Sequence, residues 1–487
     1  MKLSQIFENA PDIEIEGLCI DSRCAKKNDM YFCMEGMVHD GHAFIDDVID
    51  AGVKCIVHSK PVENMRKGVA YIQVENVNRT LNRVASLFYG YPSRKLKVFG
   101  VTGTNGKSTI TSIIRDVYSH FESCGYIGTI SISYEDVTLP PSLTTPDTIL
   151  LHKTMKDMVD AGVKAVALEV SSHGLELGRV QSVDFDVAIF SNLTYDHLDF
   201  HGTIENYFEA KKKLFTNLKP EGVAVLNADD AYMEQLKEAT KARVVTYGIE
   251  HEADYQAKNI RIEKGGSRFT LVHDDKSYEI VTNLVAQYNV SNLLAAISAM
   301  NESGISIEEQ LPYLDHIKQI EGRMESIDEG QMFNVIVDFA HTPDGMEKVF
   351  EYAKDITEEG HSIIAVFGSA GKRDTKKRKV FGKIASKYCD SIILTEDDPR
   401  DEDPREIANE IKSGIVNTNN IFIEDRYAAI RQAIESANMK DTVLILGKGD
   451  EVFMYREFGR EPWLGDHNVA RHCIRKYCLG IDDKIAK

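Results

Sequence analysis

Apolar residues in this chain gather in short blocks, and longer stretches with helical spacing separate them. Val98, Phe99 and Val101 around Gly100 predict a buried strand, and Ile110, Ile113 and Ile114 then recur at helical spacing. Further strands are expected at 165–170, 187–190, 222–226 and 244–245, with a helix at 293–300. Between 258 and 281 the pattern alternates in short strands around Gly265 and Gly266, the mark of an antiparallel edge. A second series of apolar blocks runs through 335–337, 363–367, 392–394 and 443–446, and an earlier pair lies at 30–34 and 55–57. Strand alternating with helix predicts an α/β fold, with mostly parallel sheets covered by helices on both faces. The reading divides the chain into a small N-terminal α/β domain (1–95), a central parallel-sheet domain (96–322) and a C-terminal Rossmann-like domain (323–487). Tyr91, Pro92 and Ser93 read as the first linker.

Composition narrows the classes. The 487 residues exceed one ordinary core, and 43% hydrophobic with 27% charged content fits a globular protein. A formal charge of −19 argues against nucleic acid as a partner. No N-terminal signal pattern and no apolar run long enough for a bilayer is present, so a cytoplasmic protein without membrane contact is expected. The eight cysteines, among them Cys24 and Cys478, form no C-x-x-C pair and are expected to be reduced and buried.

The candidate chemistry begins where the first central strand ends. Gly103, Thr104, Asn105 and Gly106 make a flexible bend, and Lys107, Ser108 and Thr109 open the following helix. Strand, glycine-rich turn, Lys-Ser and helix are the layout of a phosphate cradle. Backbone N–H groups converge there on phosphate oxygens, Lys107 neutralises charge and Ser108 offers a hydroxyl to Mg2+. Val101 stands where the Walker pattern has its first glycine. Glu169 closes an apolar strand, where an acid needs a partner or a metal. Asp196, His197, Asp199 and His201 follow the next strand. Glu169 and His197 from neighbouring strand ends would suit a second Mg2+. The helix at 206–215 carries Lys211, Lys212 and Lys213, which by pattern alone read as a solvated cationic turn. The basic run at 372–379 is open between solvated surface and an anion-facing patch.

Taken together, 100–108, Glu169 with SSHGL, DHLDFHG, YFEAKKKLF, NVSN at 289–292, EGR at 321–323 and DFAHTPD at 338–344 resemble the Mur ligase family over essentially the whole chain. SSHGLELGR and LTTPD point to the branch that adds the third amino acid. The resemblance implies ATP-dependent ligation of a diamino acid to UDP-N-acetylmuramoyl-L-alanyl-D-glutamate through an acyl phosphate, in peptidoglycan precursor synthesis. Lys107, Glu169, His197 and Lys211 would be catalytic. Two Mg2+ sites would draw on Ser108, Glu169, His197 and Lys211, the last carbamylated by CO2. Asn289, Arg323 and Asp338 would join the loop residues in holding ATP. Ser22, Thr144, Thr145, Ser171 and Arg179 match positions that hold the UDP-sugar peptide. The family has Gly at Ala286, a change read as small. A monomer is expected.

The incoming amino acid would be chosen by Asp397, Asp398, Pro399 and Arg400, with Arg373, Gly447 and Glu451. In the family D-N-P-R accompanies meso-diaminopimelate, its Arg meeting the distal carboxylate; lysine-adding members usually lack that Arg and often have Asp second. Arg400 favours diaminopimelate, because a guanidinium binds a carboxylate fork and repels an ammonium. Asp398 pairing with Arg400 would leave a lysine site instead, and Asp450 stands where many diaminopimelate-adding members carry His. The alternatives from other classes are a phosphate-loop NTPase switch without ligase activity and a non-catalytic nucleotide-sugar binder.

Overall fold

The computed structural model describes residues 1–36, 39–141, 143–263 and 265–481. Among the described residues three larger sheets and one two-stranded hairpin carry the chain. The first is parallel, in the order β1 (Gly17–Cys19), β2 (Asp29–Phe32), β3 (Cys55–His58) and β4 (Ala70–Gln73), with a small core on each face.

The central sheet has eleven strands. In chain order they are β5 (Lys97–Thr102), β6 (Cys124–Ile127), β7 (Ile132–Tyr134), β8 (Val137–Leu139), β9 (Ala165–Glu169), β10 (Val187–Phe190), β11 (Val223–Asn227), β12 (Arg243–Gly248), β13 (Tyr255–Glu263), β14 (Gly266–His273) and β15 (Lys276–Thr282). Across the sheet they run β15-β14-β13-β12-β11-β10-β5-β9-β6-β7-β8, parallel from β13 to β6 and antiparallel at both margins. The strands of the β13–β15 meander are long rather than short, spanning nine, eight and seven residues. Two apolar cores cover the two faces, which is why β5, β9 and β10 read as continuous hydrophobic runs.

The third sheet holds β16 (Glu325–Ser326), β17 (Asn334–Asp338), β18 (Ile363–Phe367), β19 (Ser391–Leu394), β20 (Asn419–Phe422) and β21 (Thr442–Leu446), ordered β16-β17-β21-β18-β19-β20. It is parallel except for β16. A hairpin, β22 (Phe453–Arg456) and β23 (Gly459–Pro462), stands apart from it.

Four details depart from the sequence reading. The 91–93 stretch is packed rather than loose. Pro92–Lys95 forms a 3-10 turn, Ser93 Oγ accepts the Asp184 N–H at 3.1 Å, and Arg94 pairs with Asp184 at 2.8 Å. Cys24 and Cys478 are exposed, although all eight cysteines are free. In the basic run, Arg378 is buried and pairs with Glu402 and Glu410 at 2.9 and 3.0 Å. Finally, Ala286 has φ 72° and ψ 145°, a conformation that costs any residue with a Cβ, so replacing glycine there is not a small change. Among the described residues no helix is long and apolar enough to cross a membrane.

Candidate active site

Strand order decides where the site forms. β5 lies between β9 and β10, with Val101 beside Glu169 and Thr102 beside Phe190. The chain leaves β5 toward β6 and leaves the neighbouring β10 toward β11, in opposite lateral directions, and such a switch point opens a crevice at the strand C-termini. The turn after β5 fills it. Gly103 has φ 152°, and a Cβ there would sit 1.9 Å from Ser191 Oγ. Thr104 N–H donates to Asn192 O at 2.8 Å, and Asn105 N–H donates to Asn192 Oδ1 at 3.0 Å. The cradle is thus stitched to the segment after β10 before any ligand arrives. The helix Lys107–Tyr118 begins at its rim, adding its N-terminal partial charge.

Glu169 is fully buried and its carboxylate is held from several sides. Ser108 Oγ donates to Oε2 at 3.0 Å, Tyr126 OH to Oε1 at 2.6 Å, and Thr129 N–H to Oε1 at 2.9 Å. Gly128 leaves room for this: a Cβ there would meet Glu169 Oε1 at 2.2 Å. Tyr126 was invisible to the sequence reading, being one more apolar-looking residue of a buried strand.

Lys211 is buried on the helix Ile204–Thr216, whereas Lys212 and Lys213 turn outward to Glu209 and Glu176. Its Nζ donates to Gly103 O at 2.7 Å and lies 4.4 Å from the Tyr207 ring centroid. Lys107 Nζ donates to the same carbonyl at 3.1 Å and to Thr104 O at 2.9 Å. Among the described residues neither ammonium has a carboxylate within ion-pair distance. Burial and then the Lys107 charge push the Lys211 pKa well below its ordinary value. His197, in a left-handed conformation, sets Nε2 3.2 Å from Asp196 Oδ2, and burial above all pushes its pKa down to about 3.

A cavity of about 760 Å3 brings the Lys107–Ser108 turn, Glu169 and His197 together with the C-terminal unit, while Lys211 and Tyr126 lie behind its wall. Its wall includes Thr104 to Thr109, Thr144, Glu169 and His197, together with Asn289, Arg323, Asp338 and Glu451. Arg323 Nη2 lies 3.5 Å from Ser108 Oγ, and its Nη1 pairs with Asp450 Oδ1 at 2.7 Å. Asp450 is therefore occupied by the cation that crosses to the phosphate turn. Asn105 Nδ2 reaches Asp344 at 3.0 Å, a second tie between the central and C-terminal units. Asn289 Nδ2 donates to Val285 O, and Asp338 accepts Met324 N–H at 2.6 Å and Ala340 N–H at 2.8 Å.

Thr145, Ser171 and Arg179 form a shelf behind Glu169. Thr145 Oγ1 donates to Glu169 O at 2.8 Å, and Arg179 Nη1 donates to Thr145 O at 3.0 Å. Ser22 lies in the N-terminal unit and does not line the cavity. Arg373 is drawn to Asp199 at 3.2 Å. At the selector, Asp398 does not pair with Arg400. Lys448 Nζ donates to Asp398 Oδ1 at 2.8 Å and to Glu451 Oε2 at 2.5 Å. Arg400 Nη1 donates to Gly371 O at 2.5 Å. Asp397 is buried at Gly447, where a Cβ would meet its Oδ2 at 2.4 Å.

The donors fit Mg2+. Ser108 Oγ and Glu169 Oε2 are hard oxygens 3.0 Å apart, and Thr129 Oγ1 is 3.2 Å from the same carboxylate oxygen. Among the described residues no three Asp, Glu, His or Cys side chains could hold a metal alone. An ion here would complete its shell from phosphate oxygens and water, which is the habit of Mg2+.

Fold and site thus define an α/β protein with a glycine-rich Lys-Ser turn and a second α/β unit on the same cavity. Family models match in chain order: "Mur ligase family, catalytic domain" over 14–89, "Mur ligase middle domain" over 101–300 and "Mur ligase, glutamate ligase domain" over 322–449. A UDP-N-acetylmuramoyl-L-alanyl-D-glutamate–2,6-diaminopimelate ligase of Geobacillus kaustophilus is 40% identical, covering 98% of this chain and 100% of that one. The Clostridium tetani protein of the same name is 40% identical over 90% of this chain and 91% of its own. A solved structure of that ligase superposes with a TM-score of 0.69 at 29% identity, covering 97% and 98% of the two chains. The chain belongs to the Mur ligase family.

Proposed function

We propose that this chain ligates meso-2,6-diaminopimelate to the free D-glutamate carboxylate of UDP-N-acetylmuramoyl-L-alanyl-D-glutamate at the expense of ATP. The observation that carries the reading is one cavity whose wall holds both the Lys107–Ser108 turn and Glu451 of the C-terminal unit. A switch NTPase needs the first and has no use for an amino-acid site facing it. The names of the relatives agree with this activity.

In this reading the substrate carboxylate attacks the terminal phosphorus of ATP, giving an acyl phosphate and ADP. The amine then attacks the acyl carbon, and phosphate leaves the tetrahedral intermediate. The loop residues Gly103 to Thr109 cradle the phosphates, and Lys107 and Arg323 offset their charge. Asn289 and Asp338 face the nucleoside. Thr144, Thr145, Ser171 and Arg179 orient the peptide, with Ser22 contributing from the N-terminal unit. Bound Mg2+ would supply further charge stabilisation through Ser108, Glu169 and His197. The ties Asn105–Asp344 and Arg323–Asp450 hold the C-terminal unit over the turn, which keeps water from the acyl phosphate.

Lys211 in this reading is carbamylated. The ammonium first gives up a proton, and the neutral amine then adds to the carbon of CO2 and loses a second, so that two protons leave and a cation is exchanged for an anionic oxygen ligand. The support is its surroundings: a buried nitrogen with no counter-ion, sharing Gly103 O with Lys107, gains a salt-bridge partner on becoming an anion. Arg400 receives the distal carboxylate of the amino acid and Glu451 an ammonium. The test is ADP release with UDP-N-acetylmuramoyl-L-alanyl-D-glutamate and each amino acid in turn. Release that requires diaminopimelate is expected; release without any amino acid would overturn the reading in favour of a switch.

A further inference from the structure

We propose that Lys448 determines amino-acid selectivity, as a positioning residue that neutralises Asp398 and so leaves Arg400 free for a carboxylate. The inference rests on the ligase reading above and adds to it a residue that need not touch the substrate.

The sequence places Asp398 two residues from Arg400, and that spacing permits a pair that would cancel the guanidinium. The fold prevents it. Both residues take left-handed backbone conformations, with φ 44° and 54°, which turns their side chains apart. Asp398 Oδ1 accepts Lys448 Nζ at 2.8 Å and the Tyr455 N–H at 3.0 Å. The Arg400 N–H donates to Tyr455 O at 2.9 Å, and its guanidinium lies 5.6 Å from the Tyr455 ring centroid. One residue of strand β22 thus holds the two apart through its two backbone groups. Arg400 Nη1 donates to a carbonyl, Gly371 O, and among the described residues the guanidinium pairs with no carboxylate.

Lys448 is the cation this arrangement depends on. Its side chain is fully buried, and it sits among Asp397, Asp398 and Glu451. The other buried cation nearby, Arg426, is already matched by Asp466 at 2.7 Å and by the carbonyls of Glu396 and Leu446. Removing the Lys448 charge would leave the buried Asp398 with the Tyr455 N–H but no ammonium, and its negative charge, two residues along the chain, would offset that of Arg400. A carboxylate-bearing substrate would then compete with Asp398 for Arg400, whereas lysine would meet a less repulsive site.

The experiment compares kcat/KM for meso-diaminopimelate and L-lysine in the full-length protein. Lys448→Met should lower the diaminopimelate-to-lysine ratio at least tenfold. Asp398→Asn/Lys448→Met should return it to within about threefold of the unsubstituted ratio, because the charge at position 398 that opposes Arg400 is gone. Loss of packing alone would depress both substrates together and leave the ratio unmoved, which overturns the proposal. If Lys448→Met does not fold, the double variant decides. A restored ratio supports neutralisation, and a ratio that stays low means that Lys448 binds substrate itself and overturns it. Failure of the unsubstituted protein to use either amino acid would instead count against the ligase reading.

Discussion

Two buried lysines, Lys211 in the central unit and Lys448 in the C-terminal unit, teach different lessons from the same side chain. Lys211, in the phosphate half, has a backbone carbonyl and a tyrosine ring for company, and Lys107 beside it. Lys448, in the selector half, lies between two carboxylates. Burial opposes the ammonium form at both. At Lys211 the charge of Asp196 does not make up for burial and the Lys107 charge, and the amine is driven toward neutrality. At Lys448 the charges of Glu451, Asp397 and Asp398 outweigh burial and hold the pKa above its ordinary value. One nitrogen has its charge disfavoured, as the carbamylation proposed above requires; the other keeps a charge that orders its neighbours.

The largest effect should come from the first nitrogen. Lys211→Ala is expected to reduce ligation by roughly 10³-fold or more, the scale of losing a charge-stabilising group at a reacting phosphate. Lys212→Ala, on the outward face, should stay within about threefold, as surface substitutions do. Steady-state ADP release measures both, and equal losses would erase the distinction between the two lysines. In CO2-stripped buffer the unsubstituted protein should lose activity and regain it on adding bicarbonate. Indifference to CO2 would remove carbamylation from the account of Lys211.

Arg400→Ala probes the other half. It should lower kcat/KM for diaminopimelate by about 10- to 100-fold, the worth of a charge-assisted hydrogen bond, and lysine addition much less. Comparable losses for the two amino acids would mean that Arg400 does not read the distal carboxylate.

Glu451 should then give the selector half a pH signature. Burial, with Asp398 adding to it, pushes its carboxyl up to about 7 against the opposing pull of Lys448. Below that pH it is protonated and no longer attracts an ammonium. The KM for the amino acid is therefore expected to rise as pH falls below about 7, by up to tenfold per unit. Glu451→Gln should flatten that limb; a limb that persists belongs to another group.

The phosphate half was largely legible in the sequence and the selector half was not, for a physical reason. Glu169 ends one continuous apolar strand, and Lys107 and Ser108 open the helix that follows another, so local pattern and the rule for open sheets bring them together. Lys448 and Asp398 are 50 residues apart, and Arg323 and Asp450 are 127 apart. Such pairs are created by packing and leave no periodicity to read. The hairpin of β22 and β23 was missed likewise, since Phe453, Met454 and Tyr455 are followed by charge and Gly459 rather than by a second apolar strand. β20 was missed because it opens with Asn419 and Asn420 at the sheet edge. Lys211 lay between the two cases. Its helix was evident, but which of three lysines faced inward depended on how that helix packs.

The smallest expected effect concerns a residue that both sequence and family pattern made look harmless. Ala286 precedes the helix Gln287–Asn301, which carries Asn289 and Asn292 to the cavity. With φ 72° and ψ 145° it occupies a region that glycine enters freely and other residues at a cost of about 1–3 kcal/mol. Replacing it with glycine removes that strain. It also removes a buried methyl, worth about 0.8 kcal/mol, and adds freedom to the unfolded chain, worth about 0.4–1 kcal/mol. The strain lies in a nearly glycine-only region and so toward the upper part of its range, and Ala286→Gly should stabilise the protein by about 1 kcal/mol. Denaturant midpoints at unchanged slope would measure it. A destabilised variant would mean that the methyl's contacts in the C-terminal core, near Met324, outweigh the backbone.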